Sequence, residues 1–334
     1  MEILAVRKIG IEKAVGLEIP HDITQIDPEK GIKGARFRKG HIIREEDIQV
    51  LLSMGKKHLY ILDLSDEEIH EDEAARSMAG RLMGKNLRAS DPEEGKISLS
   101  ATCRGLLLYD EEMVHSVNAS EDFLLSCLPR YSRVHKGNDV ASFRIIPVFM
   151  NRNEFERVAS RMSEFHVRPY HPLRTALLST GSEVEEGLIR DQSREKISPR
   201  VQDLGGELCI SVNTGDGCER ISSAITEAIG NGAELVICTG GMSVDADDTT
   251  RAAIEKVASE ILFRRVPTLP GCNLELAMVG EVPVIGVPAG VLYFEWTTLD
   301  LVLPLVFAGV YPDREEVSRW GTRGLGCRTL PREI

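Results

Sequence analysis

Four groups of turns in this 334-residue chain contain glycine, and three of them also carry hydroxyl and carboxyl side chains. They are STGSEVEEGLIRDQS from Ser179, NTGDGCERI from Asn213, CTGGMSVDADDTT from Cys238, and the pair TLPGCN from Thr268 and GVPAGVL from Gly286. Glycine lets a ligand approach the main chain, where backbone N–H groups can bind an anion. Each turn follows an apolar run that predicts a strand, and ligands of parallel α/β sheets bind beyond the carboxyl ends of the strands.

The carboxylates of these turns have two interpretations. Asp245, Asp247 and Asp248 precede a predicted helix, and three carboxylates there suit Mg²⁺, which prefers oxygen ligands; a plain acidic loop is the alternative. Asp216 also precedes a helix, so helix capping and a role in the site both remain open. Asp191 has the same ambiguity.

Several kinds of site are disfavoured. All eight histidines precede residue 174, so the later part of the chain alone offers no histidine base, histidine–zinc site or Ser-His-Asp triad. Catalysis there would depend on carboxylates, backbone donors and a metal ion. The dinucleotide motif G-x-G-x-x-G is absent.

Composition argues against nucleic acid and membrane partners. The net charge is −12, and residues 174–311 hold 10 Lys and Arg against 20 Asp and Glu, whereas a nucleic-acid binder usually shows a basic face. No apolar run is long enough to cross a bilayer or to resemble a signal peptide. Seven cysteines, an odd number without a C-x-x-C pair, argue against a disulfide scaffold or a zinc ribbon. We therefore expect a reduced, cytoplasmic protein.

The elements that must position the turns change in pattern along the chain. Residues 1–64 predict a small α+β module, residues 65–173 a second α+β region of unknown role, residues 174–311 an α/β domain, and residues 312–334 a tail. Within the second region, residues 94–118 predict strands with a turn near Gly105, residues 141–150 one buried strand, and residues 167–174 a linker. From residue 174 strands and helices alternate, which predicts a mostly parallel sheet with helices on both faces.

The turns, in this order, resemble those of the molybdopterin-binding domain family, which includes molybdopterin adenylyltransferases and molybdopterin molybdenumtransferases. The resemblance covers about residues 174–311. Its most specific part is Thr-Gly-Gly followed by Asp248 and Thr250. Supporting matches are STGSE with the later Asp191, the position of Asp216, Pro270-Gly271, and Gly286 with Pro288.

The resemblance implies that Asp216 and Asp248 stand where the family's catalytic or Mg²⁺-organising carboxylates stand. The ligand-binding residues that we predict are Thr180, Gly181, Glu183, Asp191, Ser193, Thr239, Gly240, Gly241, Ser243, Thr250, Pro270, Gly271 and Pro288. Molybdopterin or its adenylylated form is then the ligand or substrate, with Mg²⁺ as the cofactor. Relatives form dimers or trimers, so a homo-oligomer is expected, with molybdoenzymes as further partners.

Three departures from the molybdenumtransferase pattern bear on activity. Ser182 replaces an aspartate, and the Lys-Pro-Gly-Lys-Pro turn reads LPGCN from Leu269, without either lysine. The Gly-Leu-Pro-Gly-Asn-Pro turn reads GVPAGV from Gly286. The lysines are candidates for handling molybdate or phosphate, so their loss argues against metal insertion. Residues 1–64 resemble part of the molybdenumtransferase N-terminal region, and the tail after Val310 leaves no room for their C-terminal β-domain.

Two functions remain open at this point. One is an enzyme of molybdenum cofactor biosynthesis that carries out Mg²⁺-dependent adenylyl or molybdenum transfer. The other is a non-catalytic carrier or sensor of the cofactor. A nucleotide pyrophosphatase ranks third, and a nicotinamide-dependent dehydrogenase is a distant fourth.

Overall fold

The three parts of the chain each enclose a separate buried core. The computed structural model describes residues 6–19, 21–27, 32–62, 67–181, 190–242 and 249–323. None of the helices in those ranges is long and apolar enough to cross a bilayer.

The first part is a small unit of two antiparallel strand pairs and one α-helix. Its elements are β1 (Val6–Gly10), a 3-10 turn (Ile11–Lys13), β2 (Ile23–Asp27), β3 (Ile32–Phe37), α1 (Glu45–Ser53) and β4 (His58–Leu62). The backbone N–H of Arg44 donates to Asp47 Oδ2 at 2.9 Å, which helps to fix the start of α1. Leu51 of α1 is fully buried in the core of this unit.

The second part is an α+β unit with a four-stranded antiparallel sheet, β6-β7-β11-β9, and a three-stranded one, β10-β8-β13. Its elements are β5 (Glu68–His70), α2 (Glu71–Leu82), β6 (Leu87–Ala89), β7 (Lys96–Ala101), β8 (Gly105–Leu108), α3 (Glu111–Asn118), β9 (Phe123–Cys127), β10 (Arg133–Val134), β11 (Asp139–Ile145), β12 (Phe149–Asn151), α4 (Arg152–Ala159) and β13 (His166–Pro169). Its core includes Phe143, Phe155 and Phe165, all fully buried.

Three sequence predictions in this part were wrong. Residues 111–118 form helix α3 and not a strand, because the Asp110 carboxylate accepts the Glu112 N–H at 3.0 Å and Met113 and Val117 bury one helical face. The strand predicted over residues 141–150 is broken into β11 and β12 around Pro147. The predicted linker begins as strand β13, which pairs with β8.

The third part is an α/β unit around a six-stranded sheet with the order β15-β14-β16-β19-β18-β17. Its elements are β14 (Arg174–Thr180), α5 (Ser193–Asp203), β15 (Glu207–Thr214), α6 (Cys218–Gly230), β16 (Leu235–Thr239), α7 (Thr249–Val257), β17 (Glu260–Arg264), β18 (Glu275–Val279), β19 (Val282–Val287), α8 (Gly290–Tyr293), α9 (Thr298–Phe307), α10 (Arg314–Ser318) and a 3-10 turn (Arg319–Arg323). Strands β15, β14, β16 and β19 pair in parallel, whereas β17 and β18 extend the sheet as an antiparallel hairpin.

Helices cover both faces of this sheet, which confirms the predicted fold class. Successive residues of a strand point to opposite faces. Leu177 of β14 therefore packs with α5 and α9, while Ala176 and Leu178 pack with α6 and α7. All three are buried, which explains why β14 reads as a continuous apolar run rather than an alternating one.

The second part packs against the amino-terminal edge of the six-stranded sheet. Asp203, the last residue of α5, forms ion pairs with Arg104 and Arg133. The N–H of His171 donates to the carbonyl of Phe307, the last residue of α9, at 2.8 Å. Helices α5 and α9 both end at this edge, since each runs antiparallel to the strand before it. The carboxyl-terminal edge, where the predicted site lies, is the opposite one.

Candidate ligand-binding site

A chain of buried hydroxyl groups joins the carboxyl-terminal ends of β14 and β16 to the first turns of two helices. Thr180 Oγ1 donates to the Thr239 carbonyl at 2.9 Å and lies 2.9 Å from Thr250 Oγ1. Since a hydroxyl has one proton, the Thr250 hydroxyl is the donor in the second bond. Ser193 Oγ, at the start of α5, lies 3.0 Å from Thr239 Oγ1. Four predicted ligand-binding residues thus meet, although all four are buried.

The two glycines after Thr239 are required by the packing of the chain on itself. Gly240 has φ +93°, and a Cβ there would lie 2.4 Å from the carbonyl oxygen of Thr180. Gly241 has φ +54°, and its Cβ would lie 2.6 Å from Thr250 Oγ1. The sequence explained these glycines by the backbone conformations that they permit and by the approach of a ligand. The structure adds an internal reason for the same motif.

The first two turns lie side by side at this edge. Gly181 donates its N–H to the Thr214 carbonyl at 3.3 Å, which joins the end of β14 to that of β15. Asp216 lies two residues after Thr214 in the second turn and is exposed. The carboxylate of Asp191 accepts the N–H of Ser193 at 2.8 Å. This is the helix-capping bond that one of the two interpretations of Asp191 predicted.

The Pro-Gly turn is bound to the start of α9. The Thr298 N–H donates to the Pro270 carbonyl at 3.1 Å, and the Thr298 hydroxyl donates to the Gly271 carbonyl at 2.5 Å. Gly271 has φ +98°, and a Cβ there would lie 2.8 Å from Thr298 Oγ1. The carbonyl of Pro288, in the turn after β19, accepts the N–H of Val291 at 3.1 Å. Both turns of the predicted fourth group are therefore firmly held.

Three predicted residues, Glu183, Ser243 and Asp248, lie outside the described residues. Within the described ranges, no group of three or more His, Cys, Asp or Glu side chains could hold a metal ion. Asp216 by itself does not make a Mg²⁺ site, because the ion takes an octahedral set of oxygen ligands. The Mg²⁺ site at Asp216 and Asp248 stays a prediction.

Two buried hydroxyl groups at this edge have unused hydrogen-bonding capacity. Ser179 Oγ, next to Thr180, and Thr268 Oγ1, two residues before Pro270, have no hydrogen-bond partner among the described residues. Buried polar groups are normally satisfied by protein, water or ligand. Both side chains are buried, at 2% and 3% accessibility, so their oxygens do not face the surface of this edge.

An arginine that was not among the predicted site residues holds the loop between β19 and α9. Arg200 of α5 donates through Nη2 to the carbonyls of Phe294 and Glu295, at 3.3 and 2.7 Å. Its Nε donates to Asp300 Oδ1 at 2.9 Å, and Asp300 Oδ2 accepts the N–H of Thr297 at 2.8 Å. The sequence signal was the capping pair Thr297 and Asp300, which marks the start of α9.

A buried ion pair was also missed. Glu275, at the start of β18, is fully buried, with Arg251 Nε at 3.3 Å and Arg264 Nε at 3.8 Å from Oε2. Burial raises the pKa of the Glu275 carboxyl, and the two arginines oppose that rise. The pair ties α7 to the β17–β18 hairpin. The signal in the sequence was Glu275 itself, a charged residue at the start of the otherwise apolar run ELAMV.

Two sequence families match parts of this chain. Residues 176–308 match the family described as "Probable molybdopterin binding domain". Residues 8–63 match a family described only as a domain of unknown function. The molybdopterin-binding match covers less than half of the chain and coincides with the α/β unit.

Curated relatives each match about a third of this chain. A molybdopterin molybdenumtransferase of Synechococcus elongatus is 29% identical over 117 residues, which is 33% of this chain and 29% of the relative. A CinA-like protein of Mycolicibacterium vanbaalenii is 28% identical over 131 residues, 35% of this chain and 31% of the relative. A CinA-like protein of Kosmotoga olearia is 34% identical over 97 residues, 29% of this chain and 23% of the relative. The chain thus spans less than a third of the length of these relatives.

Solved structures with similar arrangements include a tungsten cofactor synthesizing protein MoaB from Pyrococcus furiosus, at 19% identity and TM-score 0.34, covering 41% of this chain and 93% of that one. A molybdopterin biosynthesis Mog protein from Mycobacterium ulcerans has 16% identity and TM-score 0.34, covering 40% of this chain and 92% of that one. The sequence match and the mixed, mostly parallel sheet lead to one conclusion about the third part of the chain. Residues 176–308 form a divergent domain of the molybdopterin-binding family.

Proposed function

We propose that this chain binds molybdopterin, or its adenylylated form, at the carboxyl-terminal edge of the six-stranded sheet and serves molybdenum cofactor biosynthesis. The supporting observation is the hydroxyl cluster of Thr180, Thr239 and Thr250 at that edge. These residues belong to the segment that matches the molybdopterin-binding family.

Anaerobic calorimetric titration with molybdopterin tests this proposal. We expect micromolar or tighter binding to the full chain. Asp216→Asn, at the proposed edge, should weaken the binding measured with Mg²⁺ present. Glu227→Gln is the matched control, because Glu227 is an exposed carboxylate near the other end of α6. Absence of binding to the wild-type chain would refute the proposal.

Catalysis is the second candidate role, and the exposed carboxylate of Asp216 at this edge favours it. Its test is turnover of molybdopterin in the presence of ATP, Mg²⁺ and molybdate. Adenylylated product or inserted metal, lost in Asp216→Asn, would establish an enzyme. Tight binding without turnover would establish a carrier or sensor, and release of nucleoside monophosphate from ADP-ribose would indicate a pyrophosphatase instead.

We further propose a cytoplasmic homo-oligomer that delivers its ligand to molybdoenzymes. The six cysteines in the described ranges are all free thiols, as suits a reducing compartment. Sedimentation velocity of the purified chain tests the oligomer, and a single monomer species at micromolar concentration would rule it out.

A further inference from the structure

Two aromatic side chains are exposed beside the candidate site. Tyr293 and Phe294 lie in the connection between β19 and α9, and 79% and 52% of their surfaces are accessible. Leu269, in the Pro-Gly turn, is 53% accessible. Aromatic side chains usually bury a large area on folding, so two adjacent exposed rings call for an explanation. Grouped exposed apolar side chains commonly mark a binding surface.

Hydrogen bonds hold the backbone that carries these rings. Arg200 binds the carbonyls of Phe294 and Glu295, and the same guanidinium is held by Asp300. The N–H of Phe294 also donates to the Gly290 carbonyl at 3.0 Å. A ligand that contacts the rings therefore does not have to order the loop, and less conformational entropy is lost on binding.

The rings lie at the same edge of the sheet as the candidate site. They follow β19 by a few residues, past the turn at Pro288, and so lie at the carboxyl-terminal edge of the sheet. Thr298, just beyond them, binds the carbonyls of Pro270 and Gly271 and brings the Pro-Gly turn to the same place. Three side chains are too few for a stable protein interface, which needs about 800 Å² per partner. A small flat ligand fits this surface better.

We propose that Tyr293 and Phe294 form a stacking subsite for the flat ring of a pterin. This inference rests on the proposed function, because molybdopterin carries such a ring, and it assigns the ring to this loop. Flat heterocycles stack on tyrosine and phenylalanine whatever their edge substituents. The other turns at this edge are then left for the polar part of the ligand.

The experiment uses 6-hydroxymethylpterin, which has the ring without the dithiolene or the phosphate, and the full-length chain. Saturation transfer from protein to the ring proton is measured by NMR, together with the dissociation constant. We expect transfer to the wild type and a loss of affinity of about tenfold in Tyr293→Ala or Phe294→Ala. Tyr311→Ala is the matched control, since Tyr311 is exposed but follows the end of α9, at the opposite edge. Its affinity should stay within twofold of wild type.

The outcomes separate this inference from the proposed function. Absence of pterin binding to the wild type overturns the inference, and so does equal affinity in Tyr293→Ala, Phe294→Ala and Tyr311→Ala. Dissociation of an oligomer in Tyr293→Ala, with pterin affinity unchanged, also overturns it and assigns the rings to a second copy of the chain. Pterin binding that depends on the rings, without molybdopterin binding, supports the subsite and refutes the proposed function. Thermal unfolding shows that each variant is folded.

Discussion

At the scale of single residues, the Thr-Gly-Gly motif serves the fold itself. Gly240 lies against the carbonyl of Thr180 and Gly241 against the hydroxyl of Thr250, so neither position has room for a side chain. The hydroxyls of Thr180 and Thr250 are bonded to each other. The motif therefore holds β14, β16 and α7 together at the edge where the ligand is proposed to bind.

Gly240→Ala should be far more destabilising than Gly280→Ala. Both residues have positive φ, +93° and +61°, but a Cβ at Gly280 meets nothing within 4 Å. Backbone strain alone should cost Gly280→Ala about 1–2 kcal/mol. The added clash with Thr180 should bring Gly240→Ala to about 3 kcal/mol or more. Urea unfolding of both variants measures the difference, and equal losses would show that Gly240 is not closely packed.

At the scale of elements, local patterns predicted the α/β unit well and the second part less well. In the α/β unit the strands were predicted as short apolar runs, each with a turn after it. The place of each strand can therefore be read from the sequence. Helix α3 was missed because its buried positions, Met113 and Val117, come only a few residues after the apolar strand β8. The whole stretch was therefore predicted as strands. The Asp110 cap was the signal that distinguished the two.

Asp203, the last residue of α5, should make the docking of the second part dependent on pH, because its carboxylate pairs with Arg104 and Arg133. Partial burial alone would raise the pKa of Asp203, but hydrogen bonds from Arg133 and Arg104 outweigh it and hold the pKa below its ordinary value. The stability gained from this depressed pKa is present above the unfolded-state pKa of about 3.9 and is lost as the pH falls through the folded-state value. Because these side chains are partly exposed, Asp203→Asn should cost only about 1 kcal/mol at pH 7.

Urea unfolding midpoints at pH 7 and pH 3 test this linkage. Asp203→Asn should be less stable than wild type at pH 7, and its deficit should be smaller at pH 3. Asp91→Asn, an exposed carboxylate in a loop, is the control and should match wild type at both values. A deficit in Asp203→Asn that is the same at both values would contradict the assignment.

At the scale of the whole molecule, the second part packs against the α/β unit. It contacts the ends of α5 and α9, at the amino-terminal edge of the six-stranded sheet. Leu106 and Leu108 of β8 pack there with Leu305 and Ala308 in one buried cluster. Among the described residues it also contacts the segment after α9, where Arg130 pairs with Glu316 and the ring of Tyr131 packs against Trp320.

A double-mutant cycle on Leu106→Ala and Leu305→Ala should measure this docking. Each leucine is 1% accessible, so each single substitution should cost about 2–5 kcal/mol. Because the two belong to one cluster, their effects should be coupled by about 0.5 kcal/mol or more. Additive effects in urea unfolding would mean that the two parts are not packed together through these residues.

The sequence by itself determined the fold class of residues 174–311 and the positions of the turns that carry the proposed site, because strand period, apolar runs and glycine turns are local properties. Tertiary structure alone decided which side chains meet. Thr180 bonds to groups 59 and 70 residues away, at Thr239 and Thr250. It also decided that Tyr293 and Phe294 stay exposed and that the second part docks at the opposite edge. Contacts between residues so distant along the chain depend on how the layers pack, and no local pattern records that packing.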